Sequence, residues 1–370
     1  MLKRTGGATL GTGRVVYVEG SVHEQGRQLG AVTADLIAEN VRAASALLPD
    51  VGKGFDHAAY TAMTRRNEAW VSRVYPELLD EMHGIAATSG VAYEDLLHLN
   101  LNTDVAYARA YATVFDCTQV LATSEATLDG KTYLAKTRDL SRGPSRHVLV
   151  HREFQDGTYR NELQLAGLLT LPVGVNSHGV AVGTSGQWSS RVVVDLARGD
   201  AAWHIPNLQP VLRNARSADE ALEMMRAQPR VAGMNMTVAD THKAYALEIT
   251  ANQVEVFEPE DGLLVRTNHY LSPALQHLAP TVEENRGTFD RYARAWQMAC
   301  ERRGRIGVHD LVRILSDHSE PPVESICRHG DAGGQSRTYS AMVMCPQDRS
   351  MWGMLGNPCE GIQMVGRPGE

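Results

Sequence analysis

Aromatic residues make up only 6% of this 370-residue chain, and its five cysteines lie scattered at positions 117, 300, 327, 345 and 359. The cysteine number is odd, the spacing is wide and no Cys-x-x-Cys occurs. That argues against a disulfide framework and against a zinc cluster, and it suits a reducing compartment. No run approaches the roughly 18 consecutive apolar residues of a membrane span. The start, Met1-Leu2-Lys3-Arg4, lacks the apolar core of a signal peptide, so a cytoplasmic location is expected. Net charge is -7, and no basic stripe is interleaved with aromatics, which argues against a nucleic-acid partner. What is present, 43% apolar and 21% charged residues, is ordinary for a globular protein with a real core, in one large or two ordinary domains.

Taken in order, residues 1–12 read as a Gly-rich lead-in and residues 14–19 as a short strand. Ser21 is placed to cap a helix whose buried face carries Leu29, Val32, Leu36, Ile37 and Val41. Helical spacing recurs over about 57–87, where Leu78, Leu79, Met82 and Ile85 form a core stripe, and over about 94–109. After that the character changes to hairpins. From Cys117 the residues alternate as in a strand, Asp129-Gly130 gives a two-residue turn signal, and residues 132–137 form the return strand. That turn would place Cys117 opposite position 142 and Asp139 opposite position 120.

Further strands are expected at 147–155, 158–165, 171–175, 180–184, 234–239, 244–250, 254–257, 263–267, 338–344 and 350–355. Helices are expected after the Ser217-x-x-Glu220 capping box, at about 285–301 and at 308–316. Strand runs with helices segregated between them argue an α+β fold, with large sheets covered by helices on their outer faces.

A thiol and a carboxylate thus meet at the open end of one hairpin. A nucleophile that starts a strand, with a polar orienter beside it, is what nucleophilic catalysis needs. The bland alternative for Cys117 is a small buried hydrophobe; for Asp139 it is a solvated strand end. His147 and His151 share a strand face and read as surface histidines, not as metal ligands. Gly330-Asp331-Ala332-Gly333-Gly334 lacks the Lys-Ser/Thr of a phosphate loop and reads as a flexible loop near the site mouth.

Four segments carry a resemblance: Gly20-Ser21-Val22-His23-Glu24-Gln25-Gly26 with Leu29-Gly30, Asp116-Cys117-Thr118, Lys136-Thr137-Arg138-Asp139, and Arg266-Thr267-Asn268-His269-Tyr270. Weaker matches are Gly174-Val175-Asn176-Ser177-His178-Gly179 and Ser336-Arg337-Thr338-Tyr339-Ser340. In this order the chain resembles the acyl-coenzyme A:6-aminopenicillanic acid acyltransferase family (cysteine peptidase family C45) of the N-terminal nucleophile hydrolases.

The resemblance implies a four-layer αββα sandwich. Residues 1–116 would be a mostly helical propeptide or α-subunit-like segment, and residues 117–370 the β-subunit-like catalytic region. It further implies self-cleavage of the Asp116–Cys117 bond by an N-to-S acyl shift, although Asp116 stands where the penicillin-forming enzyme has glycine. The freed α-amine of Cys117 would then be the general base for its own thiol, acting on an N-acyl amide or an acyl thioester. Asp139 would orient that amine, and Asn268 would donate to the oxyanion. Asn176 is a second oxyanion candidate, and Arg138 and Thr118 are substrate-binding or thiolate-steadying candidates. The expected partners are a small-molecule acyl donor and an amine acceptor or water. No cofactor, metal, nucleic acid or membrane is called for, and oligomerisation is left open. The alternatives are an amidase like the bile-salt and penicillin V hydrolases, or a non-catalytic binding protein of the same fold.

Overall fold

Two sheets carry the chain. The computed structural model describes residues 7–11, 13–51, 57–101, 115–140, 145–187, 191, 204–230, 233–318, 325–330 and 336–365. The larger sheet runs β1 (Gly7–Leu10), β2 (Gly13–Gly20), β5 (His147–Phe154), β6 (Tyr159–Leu165), β7 (Leu168–Asn176), β8 (Ala181–Gly186), β9 (Met234–Ala239), β10 (Ala244–Ile249) and β11 (Val254–Phe257). The smaller runs β12 (Leu263–Arg266), β3 (Phe115–Ala122), β4 (Tyr133–Leu140), β13 (Arg337–Cys345), β14 (Ser350–Met354) and β15 (Gln363–Val365). Neighbours pair antiparallel except β2 and β5, which are parallel. The lead-in expected over residues 1–12 contains β1, paired with β2.

Strand alternation decides the layers. Leu121, Leu134, Met342 and Met344 of the small sheet meet Leu149, Leu163, Val173 and Val175 of the large one between the sheets. The opposite face of the small sheet, with Val120, Ala122, Ala135 and Val343, is covered by α8 (Arg286–Arg302) and α9 (Val308–Leu315). The outer face of the large sheet takes two helical groups. On β2 and β5 lie α1 (Val22–Val32), α2 (Ala34–Val51), α3 (His57–Val74), α4 (Pro76–Ser89) and α5 (Tyr93–Leu101). On β8, β9 and β10 lie α6 (His204–Asn214) and α7 (Ala218–Ala227). This is the expected αββα layering.

The early helices follow the caps and breaks in the sequence. Ser21 and Glu24 form a complete capping box for α1, Ser217 caps α7, and Pro76 at the first turn of α4 splits the expected 57–87 helix in two. Gly26 shows why that position tolerates no side chain. A Cβ there would stand 2.3 Å from the Glu81 carbonyl oxygen of α4. Below this contact Arg152 is fully buried between Glu81, at 2.5 Å, and Glu162, with Gln25 at 3.0 Å. A paired and hydrogen-bonded buried charge ties α1 and α4 to β5 and β6.

The Cys117 hairpin departs from expectation in register. Cys117 stands opposite Arg138, and Asp139 opposite Asp116. The strands stop at Ala122 and Tyr133, and the chain between them folds on itself instead of turning at once. Ala126 N donates to Thr123 O, and Thr127 Oγ1 to Lys131 O at 2.7 Å. The slip is four residues, an even number, so every side chain keeps its face.

Candidate functional site

Polar side chains gather at the end of the sandwich where β3 begins. On the inter-sheet face of the small sheet stand Cys117, Gln119, Lys136 and Arg138, all buried. On its helix-facing side stand Thr118, Thr137 and Asp139, also buried, with Asp116. So the thiol and the Asp139 carboxylate belong to adjacent residue pairs but to opposite faces of one hairpin.

Cys117, the third residue of β3, lies beyond the last rung shared with β12, which pairs Arg266 with Gln119. Its amide would lack a ladder partner there, and Asn268 supplies one. Cys117 N donates to Asn268 Oδ1 at 2.8 Å, while Asn268 Nδ2 donates to Gly186 O at 2.9 Å. The Asn268 side chain is thus turned with its oxygen, not its amide hydrogens, towards the cysteine.

Arg291, on α8, completes the frame. It is fully buried and donates from Nη1 to Cys117 O at 2.5 Å and to Thr118 Oγ1 at 3.1 Å. From Nη2 it reaches Asp116 Oδ1 at 2.7 Å and Asn268 Oδ1 at 3.0 Å. Arg328 Nη1 holds the other Asp116 oxygen at 2.7 Å. The residues on both sides of the Asp116–Cys117 bond are therefore fixed by charge-assisted hydrogen bonds.

Asp139 accepts from Thr338 Oγ1 at 2.7 Å and from Thr137 Oγ1 at 3.4 Å. Burial raises its pKa from 3.8 to about 6, against the pull of Arg291 and Arg328. No hydrogen bond joins it to Cys117 among the described residues. Lys136 sits diagonally across the hairpin from Cys117 on the same face, within reach of a long side chain. It is fully buried and donates to Thr137 O at 3.1 Å. Burial pushes its ammonium below the ordinary lysine value, while interaction with Cys117 pulls the other way.

His147 faces this group from β5. It is 1% exposed, and burial together with Arg138 and Lys136 keeps its imidazole neutral. Neither ring nitrogen has a partner among the described residues. His151 is also buried, bonded through Nδ1 to Asn161 Oδ1 at 2.7 Å. The surface reading of both histidines is corrected: odd positions of β5 point between the sheets, as Leu149 does.

The structure therefore brings Asp116, Cys117, Thr118, Arg138, Asp139 and Asn268 together. It does not bring Asn176. That residue lies where β7 turns into β8, while the site meets β8 at its far end, Gly186, six residues further on from Val180. At about 3.3 Å per residue that is a separation on the order of 20 Å. Both Asn176 amide hydrogens go to carbonyls, Leu212 O at 3.1 Å and Ala215 O at 2.8 Å, and its oxygen accepts from His178 N and Val180 N. It is a turn residue. The Gly330–Gly334 loop lies outside the described residues beyond Gly330. Sequence reasoning missed Lys136 as a chemical group and Arg291 and Arg328 altogether, and it took His147 for a surface residue. For Lys136 a signal existed: a lysine at an alternate position of the return strand, two residues before Arg138, which faces Cys117. Arg291 shares its helix with three other arginines, at 286, 294 and 302.

No helix of the described residues is long and apolar enough to cross a membrane. No curated protein matches the chain. Among solved structures, a mutant conjugated bile acid hydrolase from Clostridium perfringens matches at 12% identity with a TM-score of 0.43, over 68% of this chain and 97% of that one. Penicillin V acylase from Agrobacterium tumefaciens matches at 15% identity with a TM-score of 0.43, over 64% and 82%. Likenesses this distant carry no argument for the site. The family model for acyl-coenzyme A:6-aminopenicillanic acid acyl-transferase matches residues 127–360, a span that begins just after Cys117 and takes in Lys136, Asp139, Asn268, Arg291 and Arg328. That span is more than half of the sequence, and the chain belongs to the acyl-coenzyme A:6-aminopenicillanic acid acyl-transferase family.

Proposed function

We propose that the chain is a self-processing cysteine enzyme of acyl transfer. It cuts its own Asp116–Cys117 bond and then moves an acyl group from an N-acyl amide or acyl thioester, through Cys117, to an amine or to water. The observation that carries this reading is the 2.8 Å hydrogen bond from Cys117 N to Asn268 Oδ1. The nitrogen that must leave in the first reaction, and act as base in the second, already has an acceptor that fixes its direction.

In the first reaction the Cys117 thiol gives its proton to Lys136, whose lowered pKa raises the share of neutral amine. Sγ attacks the Asp116 carbonyl carbon, the C–N bond breaks, and the Cys117 nitrogen takes a proton and becomes an α-amine. Water then hydrolyses the Asp116 thioester, leaving a carboxylate and a free thiol. Arg291 and Arg328 hold Asp116 still while this happens. In the second reaction the α-amine is the base. Its reference pKa of roughly 7.7–8.0 lies below the thiol's, about 8.5. The thiolate attacks the acyl carbonyl, the departing group takes the proton from the amine, and an acceptor releases the acyl group from sulfur.

The roles first assigned to Asn268 and Asp139 change accordingly. Asn268 orients the amine through its oxygen. Asp139, across the sheet with Thr137 and Thr338, supports the arginine frame. Thr118 receives Arg291, and Arg138 borders the thiol's face. A further consequence concerns residues 1–116. They supply β1 and β2 to the large sheet and bury a core cluster against β5. Cutting after Asp116 would then leave two polypeptides in one folded body rather than release a propeptide.

The test is intact-mass analysis of the denatured protein. Fragments of 116 and 254 residues of the 370-residue chain are expected, with a free amine at Cys117 and a Cys117→Ala variant left whole. A panel of acyl thioesters and N-acyl amides should then add an acyl mass to the larger fragment only. A full-length wild-type chain whose Cys117 resists every acyl donor would overturn the proposal. Adding amines distinguishes transfer from hydrolysis by the fate of the acyl group.

A further inference from the structure

Outside the Cys117 cluster, four soft or borderline ligands converge at the end of the small sheet where β13 begins and β14 finishes. They are His318, just past α9, Cys327 and His329 in the segment before β13, and Cys359 in the short 3₁₀ turn after β14. Their ligand atoms all lie within 4.8 Å of one another. The two sulfurs are 3.8 Å apart, far beyond a disulfide bond of about 2.0 Å. The two imidazole Nε2 atoms are 3.0 Å apart, and His329 Nε2 stands 3.5 Å from Cys359 Sγ and 3.9 Å from Cys327 Sγ.

These are close to the edges of a tetrahedron around zinc. With Zn–S about 2.3 Å and Zn–N about 2.0–2.1 Å, the S···S edge is about 3.8 Å, the S···N edge about 3.6 Å and the N···N edge about 3.4 Å. We propose that His318, Cys327, His329 and Cys359 form a structural zinc site. Binding would expel one proton from each thiol, and both imidazoles would bind neutral through Nε2. Two thiolates with two imidazoles suit zinc and not calcium or magnesium, which take oxygen ligands. Four protein ligands leave no open position, which marks a structural rather than a catalytic centre. A supporting residue is in place: Asn357 Nδ2 donates to Cys327 Sγ at 3.3 Å and to Arg328 O at 2.8 Å. Three of the four ligands are exposed, which gives the ion a way in.

The site has a consequence for Cys117. Arg328 lies between two of the ligands in sequence, and it holds Asp116. Its backbone is locked to Thr338, N to Oγ1 at 2.9 Å and O from Thr338 N at 2.8 Å, and Thr338 Oγ1 in turn serves Asp139. The metal would pin both neighbours of Arg328, and with them the clamp on Asp116. The expectation against a zinc cluster rested on missing Cys-x-x-Cys spacing. Here the ligands come from three separate segments spread over 318–359, and only the fold assembles them.

The test uses the full chain purified without chelators. Inductively coupled plasma mass spectrometry should find one zinc per chain. Replacement by cobalt should give the intense visible bands of a tetrahedral site and a thiolate-to-metal band in the near ultraviolet. Cys327→Ser with Cys359→Ser should lose the metal, and the single change His318→Asn at an exposed ligand should weaken it while the protein stays folded. Removal of zinc should lower the melting temperature of the wild type and not of the double variant. Metal retained by the double variant but lost in Cys117→Ser would place the ion elsewhere. A chain that takes up neither zinc nor cobalt, or one joined by a Cys327–Cys359 disulfide, would overturn the site.

Discussion

Replacing Asn268 by Asp separates two chemistries that the same side chain could perform. Asp keeps an oxygen where Cys117 N and Arg291 Nη2 now find one, at 2.8 and 3.0 Å, but removes the amide donor that faces Gly186 O at 2.9 Å. If Asn268 works as the acceptor of the Cys117 nitrogen, processing in Asn268→Asp should stay within about tenfold of wild type, one pKa unit's worth of free energy. If it works as an oxyanion donor, the loss should be roughly 10²–10³-fold, or about 3–4 kcal/mol. Asn268→Ala is the companion. It leaves the Cys117 N–H and the Gly186 carbonyl unmatched in a buried site, at about 1–3 kcal/mol each. Arg291 keeps Asp116, so the total is about 2–6 kcal/mol, a large part of a typical stability of about 5–15 kcal/mol. Precursor refolded from denaturant and sampled over time on denaturing gels gives the rate, and near-ultraviolet circular dichroism shows whether each variant is folded. Equal, severe slowing in a well-folded Asp variant and in Ala would refute the acceptor role.

Three further outcomes are expected. Lys136→Met should slow alkylation of Cys117 by iodoacetamide at neutral pH by roughly tenfold, and denaturant unfolding should show stability unchanged or raised, because an apolar chain replaces a buried charge; an unchanged alkylation rate would remove Lys136 from the chemistry. Arg291→Met should cost about 3–5 kcal/mol in chemical denaturation, because it strips hydrogen bonds from Asp116, Cys117, Thr118 and Asn268 at once, and it should stop self-cleavage; a stable, fully processed variant would contradict the frame. Asp139, raised by burial to about 6 from 3.8, should stabilise the fold below about pH 4 and lose that contribution as pH rises through 6; between those limits the stability gap between wild type and Asp139→Asn should shift by on the order of 3 kcal/mol, and a gap that stays constant from pH 4 to 7 would show that Asp139 does not titrate as described.

What was legible in the sequence follows from what is local. Ser21-x-x-Glu24 and Ser217-x-x-Glu220 announce helix starts because the cap and its partner lie within one turn. Asp156-Gly157 announces the β5–β6 hairpin because Gly157 takes a φ of +80°. Asp129-Gly130 misled for a physical reason. Gly130 does adopt the left-handed conformation, with φ +72°, but Thr127 is drawn aside to bridge Ile306 just before α9, so the connection is longer than its turn signal. Cys117 and Asp139 still ended on neighbouring rungs, because both strands carry the same two-residue period and the slip was even.

The rest of the site could not be read because its meaning is set by distance in sequence. Arg291 stands 174 residues from the Thr118–Cys117 step whose carbonyl it binds, on a helix where every other arginine is solvated or paired at the surface, and burial alone singles it out. Arg328 is 212 residues from Asp116. A buried guanidinium is retained only where acceptors surround it, since an unpaired charge in that position costs several kcal/mol. Here the acceptors are the two residues flanking one peptide bond together with Thr118 and Asn268. That convergence, more than the cysteine itself, distinguishes Cys117 from Cys345, the last residue of β13, which packs into the small sheet's outer core with no such frame among the described residues and whose thiol burial raises to about 11. In the proposed reaction the Cys117 thiol would act as nucleophile among charged and polar groups delivered by β4, α8, the end of β12 and the segment before β13.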